Sequence, residues 1–162
     1  MPKIIILYDT FAGNTEAMAK AVAEGVNKVE NVKVEIYKIG TRFPMSALND
    51  AEGIIVGSPT EYGNVTSAFR TFLESMAELK VAKKLNLQKK VGGVFGSYAW
   101  DGGWAVDMLG VKLKKLGLKV MPPIVSEPEF LDMGKEIAER HLQKCRELGT
   151  AVAMAVVRSA DP

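Results

Sequence analysis

Runs of apolar residues alternate with amphipathic stretches along the whole chain. Lys3–Tyr8 (KIIILY) is a continuous, largely β-branched run of strand length, the pattern of a strand covered on both faces. Gly53–Gly57 (GIIVG) and Lys90–Gly96 (KVGGVFG) are two further core strands of this kind. Val32–Ile39 (VKVEIYKI) alternates instead, as in a strand with one wetter face. Leu118–Val125 predicts a last strand, interrupted by Pro122–Pro123. Between these runs the period becomes helical. Met18, Val22 and Val26 recur within Asn14–Val29, and Phe69, Phe72, Leu73 and Met76 share one side of Val65–Leu79. Val106, Leu109, Leu113 and Leu116 do the same within Gly103–Leu116, with Gly117 where a helix C-cap glycine belongs. A long helix over about Gly134–Val156 closes the chain, with Ile137, Leu142, Cys145, Leu148 and Val152 as its buried stripe.

Five strands alternating with helices imply a parallel sheet, right-handed crossovers and helices on both faces, an α/β architecture. The 162 residues suit one domain, and no internal repeat, linker or low-complexity segment divides them. Lys80–Lys90 is read as a solvated helix-to-strand connection.

Composition mainly excludes. Cys145 stands alone, so there is no disulfide framework, and His141 stands alone, so there is no His-rich metal cage. No uncharged apolar run approaches the ~18 residues of a membrane span. The N-terminal apolar run is too short for a signal segment, so a cytoplasmic location is the expectation. With 21 basic and 19 acidic residues, the charge is too balanced to argue for nucleic acid.

Ligands of open parallel sheets bind beyond the carboxyl ends of the strands. Three segments occupy that edge: Asp9–Thr15 (DTFAGNT), Ser58–Asn64 (SPTEYGN) and Ser97–Trp104 (SYAWDGGW). The first runs into a helix N-terminus, where free N–H groups and the positive end of the dipole favour a phosphate. Thr10, Asn14 and Thr15 add side-chain donors and Gly13 permits a left-handed turn. The result is a phosphate cradle with no Lys or Arg, and it is neither a Walker A loop nor a three-glycine dinucleotide turn. The other two segments place Tyr62, Tyr98, Trp100 and Trp104 in glycine-rich loops. Such aromatics suit a planar ring with a phosphate tail. Trp104 is expected to begin the next helix and pack inward. His141 and Cys145 read as structural groups of the last helix, and neither Ser58 nor Ser97 has a candidate His base at its edge of the sheet.

At these three loops the sequence resembles the flavodoxin family, over nearly its whole length. Tyr8–Ala19 (YDTFAGNTEAMA) is similar to the phosphate loop for flavin mononucleotide (FMN). Gly57–Thr60 (GSPT), Phe95–Gly103 (FGSYAWDGG) and Cys145–Gly149 (CRELG) resemble the flavodoxin-like domain of the A-type flavoproteins, or flavodiiron proteins. Pro59–Leu73 looks more like the NAD(P)H:quinone oxidoreductases of the tryptophan-repressor-binding-protein type.

The resemblance implies a three-layer sandwich with a five-stranded parallel sheet in the order 2-1-3-4-5, and FMN as cofactor. It implies that Thr10, Phe11, Ala12, Gly13, Asn14 and Thr15 bind the phosphate. Pro59, Thr60, Glu61, Tyr62, Gly63 and Asn64 would contact the ribityl chain and one side of the ring. Ser97, Tyr98, Ala99, Trp100, Asp101, Gly102 and Gly103 would frame the other side, with Trp100 the stacking partner. Stacking and the carboxylates of Asp9, Glu61 and Asp101 would disfavour the electron-rich reduced flavin.

The function so implied is electron carriage between a reductase and an acceptor, with an NAD(P)H-dependent quinone or flavin reductase as the alternative. A phosphoacceptor receiver shares the strand order but needs an Asp where Gly57–Ser58–Pro59 stands. The relatives form dimers or tetramers, for which Trp104 or the Met108–Val111 face could serve. One histidine and 162 residues leave no room for a diiron domain, and the slight positive charge departs from the acidity of typical flavodoxins.

Overall fold

The computed structural model describes residues 1–11, 13–98, 102–128 and 139–160. Its elements are β1 (Lys3–Tyr8), α1 (Asn14–Asn27), β2 (Lys33–Lys38), α2 (Ala47–Asp50), β3 (Gly53–Glu61), β4 (Asn64–Val65), α3 (Ser67–Val81), β5 (Val91–Tyr98), α4 (Trp104–Lys115), β6 (Lys119–Val120), β7 (Val125–Pro128) and α5 (Glu139–Ala160). The main sheet is ordered β2-β1-β3-β5, and β6 and β7 both pair with β5. Every one of these ladders is parallel. With β6 and β7 taken as one broken outer strand, this is the 2-1-3-4-5 order that the family resemblance implies.

The break has a simple cause. Proline has no N–H to donate, so Pro122–Pro123 cannot join a ladder to β5. Pairing stops after Met121, whose N–H donates to the Gly92 carbonyl at 2.8 Å, and resumes with Val125 opposite Phe95. The outer strand then runs on to Pro128, beyond the end its apolar pattern marks. The first five residues of the closing helix as read from sequence, Gly134–Ala138, lie outside the described residues.

Alternate residues of each inner strand feed opposite layers, because side chains alternate across a sheet. Ile5, Leu7, Ile54, Val56 and Val94 pack with Phe69, Leu73 and Met76 of α3 and Leu109 and Leu113 of α4. Ile4, Ile6, Ile55 and Phe95 pack with Met18 and Val22 of α1 and Leu148 and Val152 of α5. Burial on both faces explains why β1 and β3 read as unbroken apolar runs.

Helices α1 and α5 meet backbone to backbone. A Cβ on Gly149 would lie 2.0 Å from the Val22 carbonyl oxygen, and one on Gly25 would lie 2.0 Å from that of Arg146. Two glycines at the crossing let the helices approach this closely, and Thr150 Oγ1 donates to the Gly25 carbonyl at 2.9 Å. That contact sets the direction of α1, whose N-terminus opens on the strand-end edge.

Candidate functional site: three turns at the strand ends

The carboxyl ends of β1, β3 and β5 bring the three predicted segments to one edge. In the first, Asp9 continues the β1 ladder by donating its N–H to the Gly57 carbonyl at 3.1 Å. The chain then turns sharply. Thr10 N–H donates to Asp9 Oδ1 at 2.9 Å, and Gly13 N–H donates to Thr10 Oγ1 at 3.0 Å. Gly13 has φ of 94° and N-caps α1 without a side-chain cap. Only glycine takes this conformation without strain. The first N–H groups of α1, from Asn14 onward, have no partner within the helix and carry the positive end of its dipole. Because the Thr10 oxygen accepts from Gly13, its hydroxyl proton is free for another acceptor. Phe11 is 63% exposed beside this turn, and Ala12 lies outside the described residues.

The second segment is a hairpin, where the sequence suggests a loop. Strand β3 stays in register with β5 through Pro59, runs on through Thr60 to Glu61, then folds back as β4. Glu61 pairs with Asn64 and Thr60 with Val65. Between them Tyr62 (φ 50°) and Gly63 (φ 77°) are both left-handed, the signature of a two-residue turn matched to strand twist. Tyr62 is 93% exposed at the tip. A non-glycine residue in this region is uncommon, and its side chain is held clear of the fold.

The third segment begins at Ser97 and Tyr98, which end β5. Ala99, Trp100 and Asp101 lie outside the described residues. Gly102 (φ 71°) and Gly103 (φ 86°) then lead into Trp104 at the start of α4. Trp104 begins the helix as expected but does not pack inward, being 61% exposed. The inner side of this first turn is taken by Ala105 and Val106.

Hydrogen bonds knit the three segments together. Thr15 Oγ1 and Ser97 Oγ lie 3.0 Å apart, both fully buried, so the first turn is tied to the third. Thr60 Oγ1 donates to the Ser97 carbonyl at 3.0 Å, tying the second to the third. Thr66 Oγ1 donates to Asp9 Oδ2 at 2.6 Å, tying the second to the first. Thr66 also caps α3, accepting from Phe69 N–H at 3.1 Å, and its own N–H donates to Ser58 Oγ at 3.2 Å. The Thr15 side chain is therefore a strut between loops, while its N–H stays on the helix terminus.

Sequence reasoning passes over Thr66, although a Thr directly before a helical pattern is an N-cap signal. It also passes over Glu127. This carboxylate lies in register with Ser97, is buried, and stands 3.2 Å from His141 Nε2 and 2.8 Å from Lys144 Nζ of α5. Its signal is the two-residue period: Glu127 shares the inward face of Val125 once the strand is carried beyond the prolines. The ion pair holds the Lys144 ammonium above its usual range. Burial, with Glu16 second, raises the Tyr8 phenol at the end of β1.

The edge fits a phosphorylated ring compound. A Cβ at Gly13, Gly63 or Gly102 would meet nothing within 4 Å, so each turn exposes bare backbone to open space. The three segments contain no Lys or Arg, so a phosphate here is met by N–H groups and hydroxyls alone.

The flavodoxin family profile matches residues 6–150. A solved flavodoxin from the domain Archaea is 32% identical, with a TM-score of 0.80 over 96% of this chain and 99% of that one. The chain belongs to the flavodoxin family. Flavodoxins bind FMN and pass electrons to redox partners, and FMN is the cofactor of this chain.

Flavodoxin-like chains also occur within larger proteins. An uncharacterized protein of Methanocaldococcus jannaschii is 32% identical over 154 residues, which are 93% of this chain and 36% of that protein. The anaerobic nitric oxide reductase flavorubredoxin of Pectobacterium carotovorum is 30% identical over 155 residues, 93% of this chain and 28% of that protein. The chain thus spans about a third of the length of the curated relatives it matches. No helix among the described residues is long and apolar enough to cross a membrane, and no group of three His, Cys, Asp or Glu side chains among them could hold a metal ion.

Proposed function

We propose that residues 1–162 act as one FMN-binding electron carrier, taking electrons from a reductase and giving them to an acceptor protein. The observation that carries this reading is the edge itself, three glycine-opened turns braced through Asp9–Thr66, Thr15–Ser97 and Thr60–Ser97. Bound FMN supplies one- and two-electron chemistry, and the protein supplies position and electrostatics.

In this reading the N–H groups of Asn14 and Thr15 and the hydroxyl of Thr10 would hold the phosphate, in a turn that Gly13 opens. The ribityl chain runs along Pro59 and Thr60. The Tyr62 hairpin and the Tyr98–Gly103 segment would hold the ring, with Trp100 as its stacking partner and Gly63, Asn64, Ala99 and Gly102 as backbone contacts. Phe11 and Ala12 would complete the phosphate-binding turn. Asp9, Glu61 and Asp101 place negative charge near the flavin, which opposes its reduction. No side chain is required as acid or base, and a cytoplasmic setting goes with this role.

The purified protein should be yellow or should turn yellow on adding FMN, with quenched flavin fluorescence. A protein with no spectral or calorimetric response to FMN would refute the reading. The Pro59–Leu73 segment supports a second one, a quinone reductase using NADH or NADPH directly. Sustained NADH or NADPH oxidation with a quinone selects the enzyme, and background turnover selects the carrier.

A further inference from the structure

The small net charge hides a strong segregation. Residues 67–90 and 104–120, which carry α3 and α4, hold ten basic and three acidic side chains, a net +7. The remaining residues hold eleven basic and sixteen acidic ones, a net −5. Between α3 and α4 lies a cleft of about 280 Å³ lined by Arg70, Leu73, Glu74, Ala77, Lys112, Lys115 and Leu116. Leu73 and Leu116 show only their outer edges at its floor, Ala77 is exposed between them, and Glu74 stands on the rim as the one carboxylate of the lining. Arg70, Lys112 and Lys115 form no salt bridge with any carboxylate among the described residues. Lys80 Nζ donates to the Lys115 carbonyl at 3.0 Å, which holds the C-terminal ends of the two helices together below the cleft.

We propose that the α3–α4 cleft docks an acidic amphipathic helix of a protein partner. Apolar side chains of that helix lie on Leu73, Ala77 and Leu116, and its carboxylates meet Arg70, Lys112 and Lys115. Apolar anchors in a groove with a charged rim are the usual form of helix recognition. A nucleic acid would use the cations but gain nothing from the apolar floor, and the cleft has no aromatic ring for a base to stack on. A flat anionic membrane would not fill a concave cleft.

Both helices begin at the strand-end edge, at Ser67 and Trp104. Lys112 and Lys115 lie roughly 12–17 Å further along α4, at 1.5 Å per residue. Arg70 lies only about 4.5 Å along α3, so a partner seated on the cleft reaches to within one helical turn of the strand-end edge. The docking does not depend on the flavin reading.

The test is an NMR titration of the ¹⁵N-labelled protein with a synthetic helical peptide carrying leucine on one face and glutamate on the other. A scrambled peptide of the same composition, duplex DNA and phosphatidylglycerol vesicles serve as comparisons. Amide shifts should centre on Leu73, Ala77 and Leu116, with affinity about tenfold above the scrambled peptide. The Lys112→Glu/Lys115→Glu variant should lose about tenfold in affinity, and Ala77→Arg should block the floor, both with unchanged FMN absorbance. Equal binding of the scrambled peptide, tighter binding of DNA or vesicles, or shifts centred on the strand-end turns would overturn the proposal.

Discussion

The Thr66 hydroxyl and the Asp9 carboxylate, 57 residues apart in sequence, are joined by a buried hydrogen bond of 2.6 Å. One oxygen of Asp9 thereby holds the start of α3, while the other accepts from Thr10 N–H at the phosphate-side turn. Thr66→Val removes both this bond and the α3 cap. A lost cap costs about 1 kcal/mol and a lost bond to a carboxylate about 1.5–3 kcal/mol. Urea unfolding of the apoprotein should show a loss of about 2–4 kcal/mol, with weaker FMN binding, and Thr66→Ser should restore most of both. Unchanged stability in Thr66→Val would mean that the link bears nothing.

Tyr62 packs on little of the protein, yet its backbone is left-handed. Tyr62→Asn should leave the apoprotein as stable or more stable, by up to about 1 kcal/mol, since Asn tolerates this conformation better. The same substitution should shift the midpoint potential of bound FMN, because a ring beside the flavin is lost. A thermal scan and a dithionite titration separate the two effects.

The glycine crossing makes a sharper demand. In Gly149→Ala the new methyl would stand 2.0 Å from the Val22 carbonyl, so α1 and α5 must separate. Such overpacking costs about 3 kcal/mol, which lowers Tm by about 10 °C in a chain of this size. The α1 N-terminus moves with its helix, so FMN affinity should fall too. Gly110→Ala in α4, where a Cβ would meet nothing closer than 3.6 Å, is the control and should not destabilise. Wild-type melting of Gly149→Ala would contradict the packing described above.

Cys145 is fully buried, and burial pushes its thiol from the ordinary 9.0 up to about 12. It should resist iodoacetamide at pH 8 in the native protein and react once the protein is unfolded. The sign of the linkage is fixed by the raised value. The folded state keeps the proton between pH 9 and about pH 12 while the unfolded state loses it, so this contribution to stability is complete below pH 9 and lost above it. Unfolding midpoints of the wild type and Cys145→Ala measured from pH 8 to 11 test this: the wild type should fall more steeply.

The strands and long helices are legible in the sequence because their periods are clean. KIIILY and GIIVG occupy β1 and β3, and Met18, Val22 and Val26 face the sheet from α1. The three segments at the strand ends are legible as well, since topology alone sends them to one edge. What local pattern does not carry is contact between distant residues. The Tyr62–Gly63 turn depends on β3 outrunning its neighbours, and the Asp9–Thr66 and Glu127–His141 pairs join residues with no sequence relation. Trp104 is expected inside as the start of a helix, yet Ala105 and Val106 take the inner side of that first turn.

The interrupted outer strand protects the molecule as well as shaping it. A sheet edge with a long row of free N–H and C=O groups invites another chain to add a strand and begin aggregation. Here β6 offers two residues and β7 four, divided by two prolines that cannot donate. At the opposite edge, β2 carries Lys33, Glu35 and Lys38. The apolar inner strands β1, β3 and β5 are thereby flanked by edges that give a second copy no continuous apolar strand on which to grow.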